Sequence, residues 1–243
     1  MALFVLVPGA WHGAWCWTNL KEALERAGHN CLTPDLPAVP PGANPLPIWA
    51  NALAALLQTT PEPVILLGHS RAGLIINEAA LLAPMQVRAL VYLAAFLLPP
   101  GESMQSAMNW PEAGEAPTYL RPARGRCLAV APEAVLPYFY PAAPRPLAEH
   151  AASLLQPEPL GSFSALATVA VHQLAPIPRI YIECRDDRVI PLPLQRAMQA
   201  AMPCTQVVTL PSDHSPFLCM PERLAIALEA VAIGIEPYLV SAI

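Results

Sequence analysis

Apolar residues come in short unbroken runs along the chain, and amphipathic stretches follow most of them. Positions 3–7 are uniformly apolar and are stopped by Pro8 and Gly9. Beyond them, Trp17, Leu20, Leu24 and Ala27 are spaced by three, four and three, with Asn19, Lys21, Glu22, Glu25 and Arg26 between. That pattern predicts a strand, a loop and an amphipathic helix ending at Gly28. Further apolar runs occupy 64–67, 89–96, 180–182 and 206–210, each bounded by proline, glycine or a polar cluster. Unbroken rather than alternating strands, separated by helices, predict a mainly parallel sheet buried on both faces. The proline-rich stretch 34–47 reads as a long surface loop between a strand and a helix.

This alternation fails between 99 and 160, where 12 of the 31 prolines fall and no strand-type run stands out. Trp110, Tyr119, Phe139 and several leucines in the same stretch argue against a linker. The expected organisation is a core formed by 1–98 and 171–243, with a cap subdomain of short helices and turns over 99–170.

Composition narrows the partners. Hydrophobic residues make up 55% of the chain and charged residues 13%, where an average domain carries about 25% charged residues. Disorder is excluded, and the apolar surplus creates an expectation of self-association as a homodimer, or of an apolar ligand. The formal charge of −5 with no basic run excludes nucleic acid. Six scattered cysteines show neither C-x-x-C nor zinc-type spacing, which predicts reduced thiols, no metal site and a cytoplasmic location. No charged leader precedes the apolar N-terminus and no run of about 18 apolar residues follows, so no membrane anchor is expected.

The chemistry concentrates in three places. The run 64–67 leads through Gly68, His69, Ser70, Arg71, Ala72 and Gly73 into a helical pattern over 74–82. A serine at such a sharp strand-to-helix turn is a nucleophile elbow, which needs small residues two positions either side; Gly68 and Ala72 meet that need. An acid lies where the chain leaves the run 180–182, with Asp187 the candidate and Asp186 and Glu102 its competitors. After 206–210 come Asp213 and His214. In this order His214 would take the proton of Ser70, and Asp187 would orient and stabilise the imidazole. The backbone N–H groups of Ala10, in the loop after the first strand, and of Arg71, directly after the serine, stand where an oxyanion hole is built. No metal or organic cofactor is called for.

The segment Val5-Leu6-Val7-Pro8-Gly9-Ala10-Trp11-His12-Gly13-Ala14-Trp15-Cys16-Trp17, with Gly68-His69-Ser70, Asp187 and Asp213-His214, resembles the esterase and hydroxynitrile lyase branch of the α/β-hydrolase superfamily, bacterial carboxylesterases in particular. The resemblance implies an α/β-hydrolase fold, a mostly parallel central sheet flanked by helices with a helical cap insertion. It also implies serine carboxylesterase chemistry, and the apolar cap and low charge of the chain point to neutral, hydrophobic esters. In the lyases a threonine stands where this chain has Gly9, and a lysine where it has Ser215; both markers are missing. A hydroxynitrile lyase or other non-hydrolytic enzyme on the same three residues is the first alternative, and a ligand-binding protein of this fold the second. Trp11, Phe96, Trp110 and Phe139 are the candidates for the substrate pocket.

Overall fold

The computed structural model describes residues 1–115 and 117–234. Position 116 and positions 235–243, assigned above to the cap and the core, lie outside the described residues. Chain order gives strands β1 (Leu3–Val7), β2 (Asn30–Leu32), β3 (Val64–His69), β4 (Val87–Leu93), β5 (Leu120–Ala123), β6 (Cys127–Val130), β7 (Glu158–Pro159), β8 (Arg179–Cys184) and β9 (Gln206–Leu210). Six of them form a parallel sheet in the order β2-β1-β3-β4-β8-β9. β1, β3 and β8 are buried at every position because their runs of Leu, Val, Ile and Phe meet packed layers on both faces. β2 has no signal in the sequence: it is three residues long and buries only Cys31.

Helices α1 (Thr18–Arg26), α2 (Pro45–Leu57), α3 (Ala72–Leu82), α4 (Met104–Ala107), α5 (Pro132–Phe139), α6 (Arg145–Leu154), α7 (Gly161–Ser164), α8 (Leu192–Ala201), α9 (Pro216–Cys219) and α10 (Pro221–Gly234) complete the chain. α1 stops through a double backbone cap: Gly28 takes φ +85°, its N–H donates to Glu25 O, and His29 N–H donates to Leu24 O. Only glycine adopts that conformation without strain, so the helix ends where the pattern placed it. α2 begins at Pro45 because Asn44 Oδ1 accepts the Leu46 N–H and proline tolerates the first helical position. α1 packs with α10, and α2 with α3.

Between β4 and β8 the chain holds more than helices and turns. β5, β6 and β7 form a small antiparallel sheet, with Pro122 opposite Leu128 and Glu158 opposite Leu128 on the other side. Proline is tolerated on the edge strand β5, where its missing N–H interrupts no inner ladder. Among the described residues no helix is long and apolar enough to cross a membrane. All six cysteines are free thiols, with Cys16, Cys31 and Cys184 buried.

Register sets the functional edge. Val7 pairs with Gly68, His69 with Leu93, Leu93 with Ile182, and Cys184 with Leu210. The carboxyl ends of β1, β3, β8 and β9 therefore finish side by side, and the loops leaving them converge, as the crevice of an open parallel sheet requires.

Candidate active site

Ser70 sits between β3 and α3 with φ +53°, a left-handed conformation that costs a non-glycine residue about 1–2 kcal/mol. Hydrogen bonds brace it: its N–H donates to Leu93 O at 3.2 Å, and its carbonyl accepts from Phe96 N–H at 2.9 Å and Gly73 N–H at 3.2 Å. Small neighbours make the turn possible. A Cβ at Gly68 would lie 2.7 Å from the Ala72 carbonyl oxygen, and one at Gly73 would run into the Phe96 carbonyl.

His214 lies in the loop after β9, and its Nδ1–H donates to Asp187 Oδ2 at 2.7 Å, with both side chains buried. That bond fixes the tautomer and leaves the lone pair on Nε2. Nε2 is buried and, among the described residues, has no hydrogen-bond partner. The other oxygen of Asp187 accepts the N–H groups of Val189 at 2.7 Å and Ile190 at 3.0 Å, so the carboxylate is saturated from the loop it caps. Its two competitors point elsewhere. Asp186 is exposed and pairs with Arg185 at 3.1 Å, while Glu102 accepts from Ser106 Oγ.

Ala10 and Arg71 share a cavity wall with Ser70, and among the described residues neither donates a backbone hydrogen bond. A Cβ on Gly9 would lie 2.7 Å from His69 Nδ1 and 2.9 Å from the Ser70 Cβ, so the loop reaches the elbow only with glycine there. The cavity has a volume of about 320 Å³ and is walled by Trp11, Phe96, Met104, Leu128 and Phe163, among others. Two of the pocket candidates drawn from sequence, Phe139 and Trp110, do not wall this cavity. Phe139 is buried behind the wall, its ring edge-on to Trp11 at 5.6 Å and to His214 at 5.8 Å, and Trp110 packs against the core outside the cavity. Met104, Met108, Tyr119 and Phe163 take their place.

A family model described as the alpha/beta hydrolase family matches residues 4–227. The chain belongs to the alpha/beta hydrolase family. Methylesterase 18 of Arabidopsis thaliana is 30% identical over 96% of this hydrolase and 98% of its own length. A pyrethroid hydrolase of Sphingobium wenxiniae is 32% identical over 92% of this chain and 85% of its own. In three dimensions, a pyrethroid hydrolase from Sphingobium faniae matches with a TM-score of 0.81 at 30% identity, covering 95% of this chain and 97% of that one.

Three further residues of this hydrolase's site were given no role by the sequence. Gln195 on α8 is fully buried, and its amide spans the loop below Asp187: Nε2 donates to Ile190 O at 2.7 Å and Cys184 O at 3.0 Å, and Oε1 accepts from Cys184 N–H at 3.0 Å. His69 donates through Nε2 to His214 O at 2.9 Å and so holds the backbone of the loop. His12 donates through Nδ1 to Ala10 O at 2.8 Å and accepts from the Tyr140 hydroxyl at Nε2, 2.7 Å. His12 and His69 lie inside the motifs of the first loop and the elbow, where the sequence marks them as structural histidines without naming their partners, and Gln195 has no signal in the sequence at all.

The His12 environment gives a pH prediction. Burial, reinforced by the neighbouring His214 and Arg71, pulls its pKa down to about 4, and His69 is pulled well below its usual value. A histidine near 6.5 unfolded and about 4 folded stabilises the fold fully above pH 6.5, and that contribution is lost as pH falls through 4. The loss for His12 alone is of the order of 3 kcal/mol. Thermal melts should therefore be flat from pH 8 to 7 and fall steeply between 6 and 4, and His12→Gln should make the fall shallower. An equal acid slope in both proteins would rule out His12 as the group responsible.

Proposed function

We propose that the protein is a serine carboxylesterase acting on neutral, hydrophobic carboxylic esters through an acyl-enzyme. The observation that carries this reading is the buried Asp187–His214 pair, which leaves His214 Nε2 without a partner. A buried acceptor left unpaired costs about 1–3 kcal/mol, and one such group in a native site calls for an explanation. Proton acceptance from Ser70 supplies one.

In this reading Ser70 Oγ attacks the ester carbonyl as its proton passes to His214 Nε2, and Asp187 stabilises the imidazolium. The oxygen that gains charge is met by the N–H groups of Ala10 and Arg71. The tetrahedral species collapses with loss of the alcohol, which takes the proton from His214. Water then attacks the acyl group on Ser70, again giving its proton to His214, and the acid departs with Ser70 restored. No hydrogen bond joins Ser70 to His214 among the described residues, and catalytic contacts of this kind commonly tighten only in the substrate complex. The names of the relatives, methylesterase and pyrethroid hydrolase, support the same chemistry.

A lyase reading is disfavoured at Gly9, where any side chain would collide with His69 and Ser70, and at Ser215, a neutral residue next to His214. A binding protein would have no use for an unpaired imidazole nitrogen. Rapid hydrolysis of p-nitrophenyl acetate separates the esterase from both. The free thiols support a reducing compartment such as the cytoplasm.

The apolar wall supports hydrophobic acyl or alcohol groups. Phe163→Ala and Met104→Ala should shift the preferred chain length across a series of p-nitrophenyl esters, by about 10-fold in the ratio of long to short kcat/KM, since one to two methylenes of pocket are worth about 1–3 kcal/mol. Parallel loss on every ester, with the acetate affected equally, would count against a selecting wall.

A further inference from the structure

Arg71 and Glu158 form a buried ion pair for which acyl transfer has no direct use. Their side chains are 5% and 6% exposed, and Arg71 Nη1 lies 2.7 Å from Glu158 Oε1. Arg71 Nη2 donates to the carbonyls of Pro8 at 3.1 Å and Gly9 at 3.2 Å, and its guanidinium lies 4.1 Å over the Trp49 ring. The other oxygen of Glu158 accepts the Trp11 N–H at 3.4 Å. The pair thus holds the loop on both sides of Ala10, by donors to the carbonyls before it and by an acceptor for the N–H after it.

The grip matters because the loop is strained there. Trp11 takes φ +65°. Its indole N–H donates to Leu128 O at 3.0 Å, and its carbonyl accepts from Gln156 N–H at 2.9 Å. Leu128, Gln156 and Glu158 all belong to the segment inserted between β4 and β8. Among the described residues Ala10 N–H has no bond of its own to set its direction, so its neighbours set it. Stability is a weak reason for such a pair, since apolar residues of similar volume commonly replace a buried ion pair without loss.

We propose that the Arg71–Glu158 pair is a positioning device for the oxyanion hole, anchoring the Gly9–Trp11 backbone to the inserted segment so that Ala10 N–H stays aimed at the reacting oxygen. Arg71 then serves both donors, one through its own N–H and the other through its side chain. The inference rests on the esterase reading in one respect, that Ala10 N–H is an oxyanion donor.

Two variants test it, Glu158→Gln and the double variant Arg71→Met with Glu158→Leu, with rates expressed per site titrated by a phosphonate so that misfolded protein is not counted. The expected result is a loss of kcat of about 10- to 100-fold with KM within 2-fold, the size of a misplaced or lost oxyanion contact. Affinity for a trifluoromethyl ketone, which forms an oxyanion adduct, should fall by the same factor as kcat/KM, while the double variant keeps its Tm. A merely structural pair would not give that parallel. A second readout needs no turnover: the backbone amide resonances of Ala10 and Trp11 in 15N-labelled protein should move and broaden in Glu158→Gln. If Glu158→Gln does not fold, the double variant, which buries no lone charge, carries the test. Unchanged kcat and unchanged ketone affinity in the folded double variant, or unmoved amides, overturn the proposal. A wild-type protein that neither hydrolyses esters nor takes the phosphonate on Ser70 overturns instead the esterase reading, and the amide resonances still decide whether the pair holds the loop.

Discussion

Ser70→Ala is expected to lower kcat by about 10⁶-fold while leaving the fold and Tm unchanged. Alanine at φ +53° carries the same backbone strain as serine, and the bonds bracing the elbow are all made by the main chain, through Leu93, Phe96 and Gly73. Nothing that holds the turn is therefore removed with the hydroxyl. The residual rate over water, about 10³–10⁴-fold, should persist because the N–H groups of Ala10 and Arg71 and the cavity remain. Mass spectrometry after labelling with an organophosphonate provides the complementary measurement. Label on Ser70 in the wild type and none in the variant is the expected pattern, and label on any other serine would overturn the assignment.

Asp187→Asn should cost about 10⁴-fold in kcat, by a route the hydrogen bonds define. The Val189 and Ile190 N–H groups both point at Oδ1, so an asparagine keeps its carbonyl oxygen there and turns its NH₂ toward His214. Facing a donor, His214 Nδ1 must become the acceptor and its proton moves to Nε2, the atom that should receive the proton of Ser70. The imidazole is then present, in place and in the wrong tautomer. Asp186→Asn, on an exposed side chain that pairs with Arg185, should be nearly silent in the same assay. Reversal of the two effects would place the acid one residue earlier.

What the sequence makes legible here follows from the range of the interactions involved. β9 lies at Gln206–Leu210 as the apolar run places it, and α1 ends where Gly28 stops it, because both depend on neighbours in the chain. The elbow is readable for the same reason, since the crowding at Gly68 comes from Ala72, four residues on. Between the adjacent Asp186 and Asp187 only the family resemblance favours Asp187 in the sequence, and the fold adds that Asp187 is buried against His214 while Asp186 is exposed. β5, β6 and β7 were not legible: they are short, half-buried and joined by a pairing from Leu128 to Glu158 that leaves no periodic trace. Gln195 and the Arg71–Glu158 pair were hidden in a further sense, as polar residues whose partners are defined only once the chain has folded.

The sheet order has a consequence for how the chain is made. β4 is apolar along most of its length and pairs on one side with β3, which is synthesised before it, and on the other with β8, which is not. Residues 94–178 separate the two, so at about 5–20 residues per second the ribosome delivers the partner roughly 4–17 s late. For that interval the nascent sheet ends in a bare hydrophobic edge, the kind of edge that recruits foreign strands. Translation speed through the inserted segment is thus a determinant of yield, and slow codons there should be a hazard to soluble expression even though they encode no part of the sheet.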